Sequence, residues 1–391
     1  YKDSEITELT FTQRLNEKYN IFFGQLHSHT EYSDGAGTCE EAYVHASQAD
    51  QIDFLAVTDH SNSFDGIDTA SIQGAPDSKE WAEGHELEDK YTTEDFVGIF
   101  GYEMTWSNGL GHMNTYNTEG FQSRTQSAYT VYGTALQNYY STIKTDTGSI
   151  NQFNHPGTTF GDFSDFAYYD EELDSIITLI EVGNGEGAIG SSGYFPSYEY
   201  YTRALDKGWH VAPTNNQDNH KGRWGDANTG RSVILADTLD RMSLYDGMRN
   251  MRMYATEDND LEITYTLDDY IMGTILDEDS VGDKVTLKVE LKDPTDAAIG
   301  KVQVIVNGGL VAATETLDVA EGVVTFELPS DYSYYYIKVT QPDNDIAVTA
   351  PVWIGAVEAV GITSFTTDAP LAVQGSPLNL TLEMFNNEKE D

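Results

Sequence analysis

His27 and His29 stand two residues apart in Leu26-His27-Ser28-His29, directly after a short apolar run at 21–26, so in an extended backbone both imidazoles point to one side. Two imidazoles on one side can share a metal ion. Ser33-Asp34-Gly35 places a carboxylate in the loop that follows, and the next apolar run, 52–58, ends in Thr58-Asp59-His60. The pattern repeats: the run at 97–102 ends at Glu103, the run at 150–154 at His155, and the stretch after 210–214 in Asp218-Asn219-His220. Imidazole and carboxylate thus recur at the ends of five predicted strands, the rim on which β/α barrels build active sites.

A donor set of imidazole and carboxylate without thiolate suits two or three ions of Zn, Mn or Fe. Ions a few Å apart bring the pKa of a bridging water near neutrality and clamp the oxygens of a phosphoryl centre during in-line displacement, with metal-bridging hydroxide as the nucleophile. No Ser-His-Asp arrangement is needed, and the chain carries no G-x-S-x-G elbow. Asp59 has two readings: a partner that fixes a ligand, which is favoured, or a proton acceptor near the bridging water. Lys221 and Arg223 stand out in a chain poor in cations; they are donors to a phosphate or other anion, or members of a solvated loop. Arg124, Trp106, Tyr116 and Tyr168 are candidates to shape a pocket. His45, His85 and His210 fall outside the pattern and read as ordinary helix, loop and strand residues. The Tyr-rich runs at 198–201 and 332–336 offer rings for glycan stacking, but read first as core and surface residues.

The elements that must position these residues alternate strand and helix over the first 260 residues. Strand-like runs lie at 21–26, 52–58, 97–102, 150–154, 176–182, 210–214 and 232–236. Thr38-Cys39-Glu40-Glu41 is a capping box, which predicts a helix over 39–49. From about 261 the pattern becomes period-two alternation with hairpin signals, as in 285–291 and in 301–306 before Asn307-Gly308-Gly309, and predicts an all-β sandwich ending near 354. The expected division is a lead-in at 1–20, a barrel at 21–260, a β-sandwich at 261–355, and a further β module or tail at 356–391.

Sixty-five acidic against 21 basic side chains give a net charge of −44, while 39% apolar residues suffice for a core. Such a surface repels polyanions, so nucleic acid is not the expected partner. The lone Cys39 excludes an intramolecular disulfide and Cys-based zinc frameworks. No run approaches the roughly 20 apolar residues of a membrane span, and membrane insertion is not expected. The chain starts at Tyr1 and ends in a charged run just after a strand-like segment, and is read as a fragment of a longer, secreted or cell-surface protein; a cytoplasmic location is the alternative.

His27-Ser28-His29, Ser33-Asp34-Gly35, Thr58-Asp59-His60, Glu103, Gly111-His112, Asn154-His155-Pro156 and Asp218-Asn219-His220 together resemble the ordered motifs of the PHP (polymerase and histidinol phosphatase) superfamily, over about residues 20 to 260. The Gly111-His112-Met113-Asn114 and Met253-Tyr254-Ala255-Thr256 spellings are closer to its carbaryl-hydrolase-like branch. The resemblance implies an α/β fold, a distorted (β/α)7 TIM-like barrel, here followed by an immunoglobulin-like all-β sandwich, and up to three divalent metals. On this chain it assigns His27, His29, Glu103 and Asp218 to one metal; Glu103, His112 and His155 to a second, with Glu103 bridging; and Asp34, His60 and His220 to a third, where the ligand at Asp34 is His in some members. The implied activity is phosphoester hydrolysis on a small-molecule or glycan-linked substrate. The rivals are an ester, carbamate or amide hydrolase on the same metals, and a surface glycan-binding protein without activity.

Overall fold

The computed structural model of the chain describes residues 19–106, 109–356, 360–367 and 380–386. Ten strands build the first part: β1 (Asn20–Gln25), β2 (Phe54–Val57), β3 (Val97–Trp106), β4 (Gly111–Tyr116), β5 (Ile150–Asn154), β6 (Ile177–Asn184), β7 (Phe195–Pro196), β8 (Ala212–Asn216), β9 (Arg231–Ala236) and β10 (Met253–Thr256). Helices α1 (Cys39–Ala46), α2 (Lys79–Tyr91), α3 (Tyr132–Ile143), α4 (Phe163–Phe166), α5 (Glu171–Asp174), α6 (Tyr198–Asp206) and α7 (Arg241–Arg249) connect them.

The central strands are covered on both faces, and the polar side chains they carry are buried with the apolar ones. Every residue of β2, β3, β6, β8 and β9 is buried. The order β10-β9-β1-β2-β3-β4-β5-β6 makes a curled mixed sheet, with β8 on the far side of β6. Ladders β1–β2, β2–β3, β5–β6 and β6–β8 are parallel, whereas β1–β9, β9–β10, β3–β4 and β4–β5 are antiparallel. The predicted capping box forms: Glu41 N–H donates to Thr38 Oγ1 at 3.1 Å and Thr38 N–H to Glu41 Oε2 at 2.8 Å. The helix it starts closes at Ala46, short of the expected 49. β3 runs on to Trp106, and β4 is a strand for which no local pattern prepares; it is held by pairing with β3 on one side and β5 on the other.

The later strands are β11 (Glu262–Leu267), β12 (Tyr270–Ile271), β13 (Ile275–Leu276), β14 (Lys284–Lys292), β15 (Gly300–Val306), β16 (Leu310–Leu317), β17 (Glu321–Pro329), β18 (Tyr334–Thr340), β19 (Ile346–Thr349) and β20 (Val352–Ile354), then β21 (Val360–Thr367) and β22 (Leu380–Asn386), which form a hairpin where a further β module was expected. In β14 buried and exposed residues alternate strictly, the mark of a strand with one face in water. β12-β11-β14-β17 form a four-stranded sheet. The others join the first sheet, because β10 pairs with β19 through Tyr254↔Thr349, Ala255↔Val348 and Thr256↔Ala347. Hydrogen bonds from Tyr201 to Thr349 O and from Tyr334 to Asp206 reinforce this join. The ladder therefore crosses the expected boundary near 260. The expected lead-in, apart from Tyr19 and Asn20, lies outside the described residues.

Candidate metal centre

The tripeptides His27-Ser28-His29 and Asp218-Asn219-His220 extend β1 and β8 beyond the sheet and meet in one parallel bridge, Ser28↔Asn219, with His29 N–H donating to Asn219 O at 2.9 Å. The alternating strand geometry then turns the flanking side chains to one side. Asp218 Oδ1 lies 3.2 Å from His27 Nε2 and 2.9 Å from His29 Nε2, and the His29 and His220 rings stack at 4.1 Å. A second isolated bridge, His60↔Glu103, sets two candidate ligands directly beside each other where the chain leaves β2 alongside β3. Because β4 runs antiparallel, its start lies on the same rim, and the registers Thr105↔His112 and His112↔Asn154 place His112 between Glu103 and His155. Gly111 allows this: its φ is +123°, and a Cβ there would lie 2.4 Å from the Phe163 ring.

Glu103 is the hub. Its carboxylate oxygens lie 3.4 Å from His27 Nε2, 3.6 Å from His29 Nε2, 2.6 Å from His60 Nδ1, 3.3 Å from His112 Nδ1 and 3.4 Å from His155 Nε2. Asn154 Nδ2 donates to its Oε1 at 2.9 Å. To one side, Asp34 Oδ1 sits 3.4 Å from His60 Nε2 and 3.3 Å from His220 Nε2, so Asp34, His60, His220 and His29 form a further group of four. All nine residues expected as ligands are thus brought to one cluster.

Charge accounts for the protonation of this cluster. Burial alone would raise the Glu103 and Asp218 carboxyls, but the neighbouring histidines hold both well below the usual range: His27, His112 and His60 for Glu103, and His27 and His29 for Asp218. Burial would lower His27, yet Asp218, Glu181 and Glu103 keep it well above its ordinary value. For His29 burial wins and the value falls. Buried Glu103 Oε2 and Asp218 Oδ1 approach imidazole nitrogens without accepting an aligned hydrogen bond. Unsatisfied oxygens and imidazole lone pairs that converge in this way fit a divalent transition metal. His155 and Asp218 also hold positive φ, +26° and +48°, a strain that the surrounding ladders must impose.

Several partners of the cluster were not read from the sequence. Glu181, fully buried inside β6, approaches His27 Nδ1 at 2.9 Å and accepts from His155 N–H at 2.7 Å, from Asn216 at 2.9 Å and from Asn184 at 3.0 Å. A carboxylate facing Nδ1 places the proton there and leaves Nε2 as the metal-facing nitrogen. The available signal was a single charge in an otherwise uncharged buried strand, the situation of Glu103. Phe160, 43% exposed, lies against the rings of His112 and His155 at 5.1 and 4.7 Å and forms an apolar wall.

Asp59 is buried beneath His29: it accepts from Thr30 N–H at 2.8 Å, Thr30 Oγ1 at 2.7 Å and Ser33 Oγ at 2.5 Å, and Ser33 Oγ lies 3.3 Å from His29 Nδ1. Lys221 is 77% exposed with Nζ 3.6 Å from Glu186, a residue that also accepts His220 N–H. Arg223 turns its Nε to Asp226 at 3.2 Å. Arg124 donates to Thr105, Tyr116 is buried and donates to Leu26 O, Trp106 is buried and Tyr168 half-exposed. His45, His85 and His210 pair with Asp226, Glu88 and Asp174, away from the cluster.

Residues 25–207 match the PHP domain family model. The match ends before Asp218 and His220, which the fold nonetheless brings to the same cluster. A two-domain protein from Bacteroides vulgatus, described as containing a predicted PHP-like metal-dependent phosphoesterase, is 17% identical over 87% of this chain and 99% of its own, with a TM-score of 0.43. A lesion-specific endonuclease from Pyrococcus furiosus is 12% identical over 59% of this chain and 56% of its own, with a TM-score of 0.35. No curated protein matches the chain. The donor set and the PHP domain together fit a metal-dependent hydrolase.

Proposed function

We propose that the chain is a metal-dependent phosphoesterase acting on a small phosphomonoester or diester, free or glycan-linked. The observation that carries this reading is Glu103 facing five imidazoles, with Asp218 closing the group from the opposite strand. His27, His29, Glu103 and Asp218 would hold one metal, Glu103, His112 and His155 a second, and Asp34, His60 and His220 a third. Bound Zn, Mn or Fe would activate water and polarise the phosphoryl oxygens.

The protein's own residues prepare that chemistry. Glu181 holds the His27 tautomer, and Asp59, through Ser33, orients His29. Phe160 walls the His112 side against water and offers an apolar face to the organic part of the substrate. Asp34, Asp59, Glu103, Glu181, Glu186 and Asp218 crowd the site with negative charge, so an anionic substrate needs the metals' charge to approach. Lys221 is the cation beside His220 that can meet a phosphoryl oxygen, with Arg223 further along the loop.

The finer architecture belongs to this proposal. The curled sheet is read as a distorted (β/α)7 barrel of the carbaryl-hydrolase-like branch, the strands from β11 to β20 as an immunoglobulin-like sandwich, and the site of action as extracellular or cell-surface. The test is a panel of chromogenic phosphate mono- and diesters beside a chromogenic acetate, run with Zn, Mn and Fe. Phosphoester turnover that EDTA abolishes is the expected result. Turnover of acetate alone would replace the proposal with a carboxyl-type hydrolase on the same residues.

A further inference from the structure

A second group of carboxylates lies away from the histidines, at the join between the barrel strands and the later ones. Asp258 follows β10, Asp293 and Asp296 follow β14, and one oxygen from each lies within 4.8 Å of the others. Backbone amides orient two of the three. Asp258 Oδ1 accepts from Asp260 and Leu261 N–H at 2.7 and 3.1 Å, and Asp293 Oδ1 from Thr295 and Asp296 N–H at 3.0 and 2.6 Å. Their Oδ2 atoms are left to converge with Oδ2 of Asp296.

The side chain at that point is Gln341, which follows β18 and is 3% exposed. Its Nε2 lies 2.7 Å from Asp293 Oδ2 and 3.4 Å from Asp258 Oδ2 and Asp296 Oδ2. Its Oε1 is buried with no hydrogen-bond donor at all. One NH2 group has two hydrogens for three anionic oxygens, and the carbonyl of the same amide is unsatisfied. A half-turn about the last side-chain bond would present Oε1 to the three carboxylates, which is repulsive unless a cation lies between them. Among the described residues no Lys, Arg or His pairs with Asp258, Asp293 or Asp296; Lys292, next in the chain to Asp293, pairs with Glu262. The orphaned Gln341 carbonyl and the uncompensated carboxylates therefore lack the same thing, a positive charge that takes oxygen ligands.

We propose that Asp258, Asp293, Asp296 and the Gln341 carbonyl form a separate site for a hard divalent cation, calcium by its chemistry. Every donor is oxygen, which disfavours the ions suited to the histidine cluster. The donors come from three loops with no octahedral frame, which suits calcium's larger and more flexible coordination better than magnesium's. The ion would clip the exit of β10 to the ends of β14 and β18, and so fasten the later strands to the PHP domain.

The test uses the full chain with its histidine cluster saturated with Zn, then titrated with Ca2+ by calorimetry and followed by thermal melting. The expected result is saturable binding of one Ca2+ and a rise in Tm of about 5 °C at a hundredfold excess over Kd. Mg2+ should give a clearly smaller rise. Asp296→Asn and Asp258→Asn, both at half-buried positions, should each weaken Ca2+ binding at least about tenfold, the scale of one lost charged ligand, with Zn content unchanged. Absence of saturable Ca2+ binding by the wild type overturns the proposal, as do unaltered affinity in both variants or an equal Tm rise with Mg2+. The wild-type titration decides even if a variant fails to fold.

Discussion

Ser28 and Asn219 form a single parallel bridge, and that contact sets His27 and His29 against Asp218 and His220. Neither bridging residue need touch a metal. Each holds the middle of a tripeptide whose outer members point to the cluster, so four candidate ligands depend on one backbone register. The bridge His60↔Glu103 works differently: its two members are themselves candidate ligands, set side by side where β2 meets β3.

Glu181 supplies the first prediction. It places the proton on His27 Nδ1 and also anchors the His155 backbone. Glu181→Gln keeps the volume but removes the charge that favours this tautomer. Metal affinity should fall about 10- to 100-fold, as for other partners that orient a metal-bound histidine, while the far-ultraviolet circular dichroism stays that of the wild type. Unchanged affinity in a metal-competition assay would show that His27 needs no such partner.

The ligand motifs are legible in the chain because five predicted strand ends carry an imidazole, a carboxylate or both within a few residues, and strand ends are where a curled sheet brings side chains together. Glu181 escaped because it lies inside β6, where a charge has no local reason to be. β4 escaped for a different reason. Gly111-His112-Met113-Asn114-Thr115-Tyr116 shows no apolar alternation, and its extended form comes from the strands on either side. The join of β10 to β19 pairs Tyr254 with Thr349, a tertiary contact that local periodicity does not encode. The strands on both sides of residue 260 were nevertheless readable from the change of period.

The two loop cations should separate in their effects. Lys221 is the nearer in sequence to His220 and is held by Glu186, whereas Arg223 is engaged with Asp226 and 58% exposed. Lys221→Ala should lower phosphoester kcat/KM about tenfold, less than the loss of a fully enclosed charge-stabilising donor, and leave hydrolysis of a neutral ester nearly unchanged. Arg223→Ala should have the smaller effect. Equal losses on charged and neutral substrates would assign both residues to loop structure.

Stability in EDTA should depend on pH through the acidic loops. Burial, followed by the charges of Asp343, Glu257, Asp258 and Asp296, pushes the Asp345 carboxyl up to about 7, and burial with Asp258 pushes Asp260 to about 6. The folded chain then holds protons that the unfolded chain, near the ordinary value of about 4, has released. Between pH 4 and 7 stability therefore falls as pH rises. The diagnostic is Asp345→Asn: its melting temperature should decline less between pH 5 and 8 than that of the wild type. An identical decline would assign the pH dependence to other groups.

The central claim is that nine side chains on one rim hold catalytic metals through Glu103. Elemental analysis of the reconstituted chain, wild type beside Glu103→Ala, tests it most directly. The wild type should carry about two to three equivalents of transition metal, and Glu103→Ala should lose most of it together with all hydrolytic activity. Less than one equivalent in the wild type, or full occupancy in the variant, would contradict it.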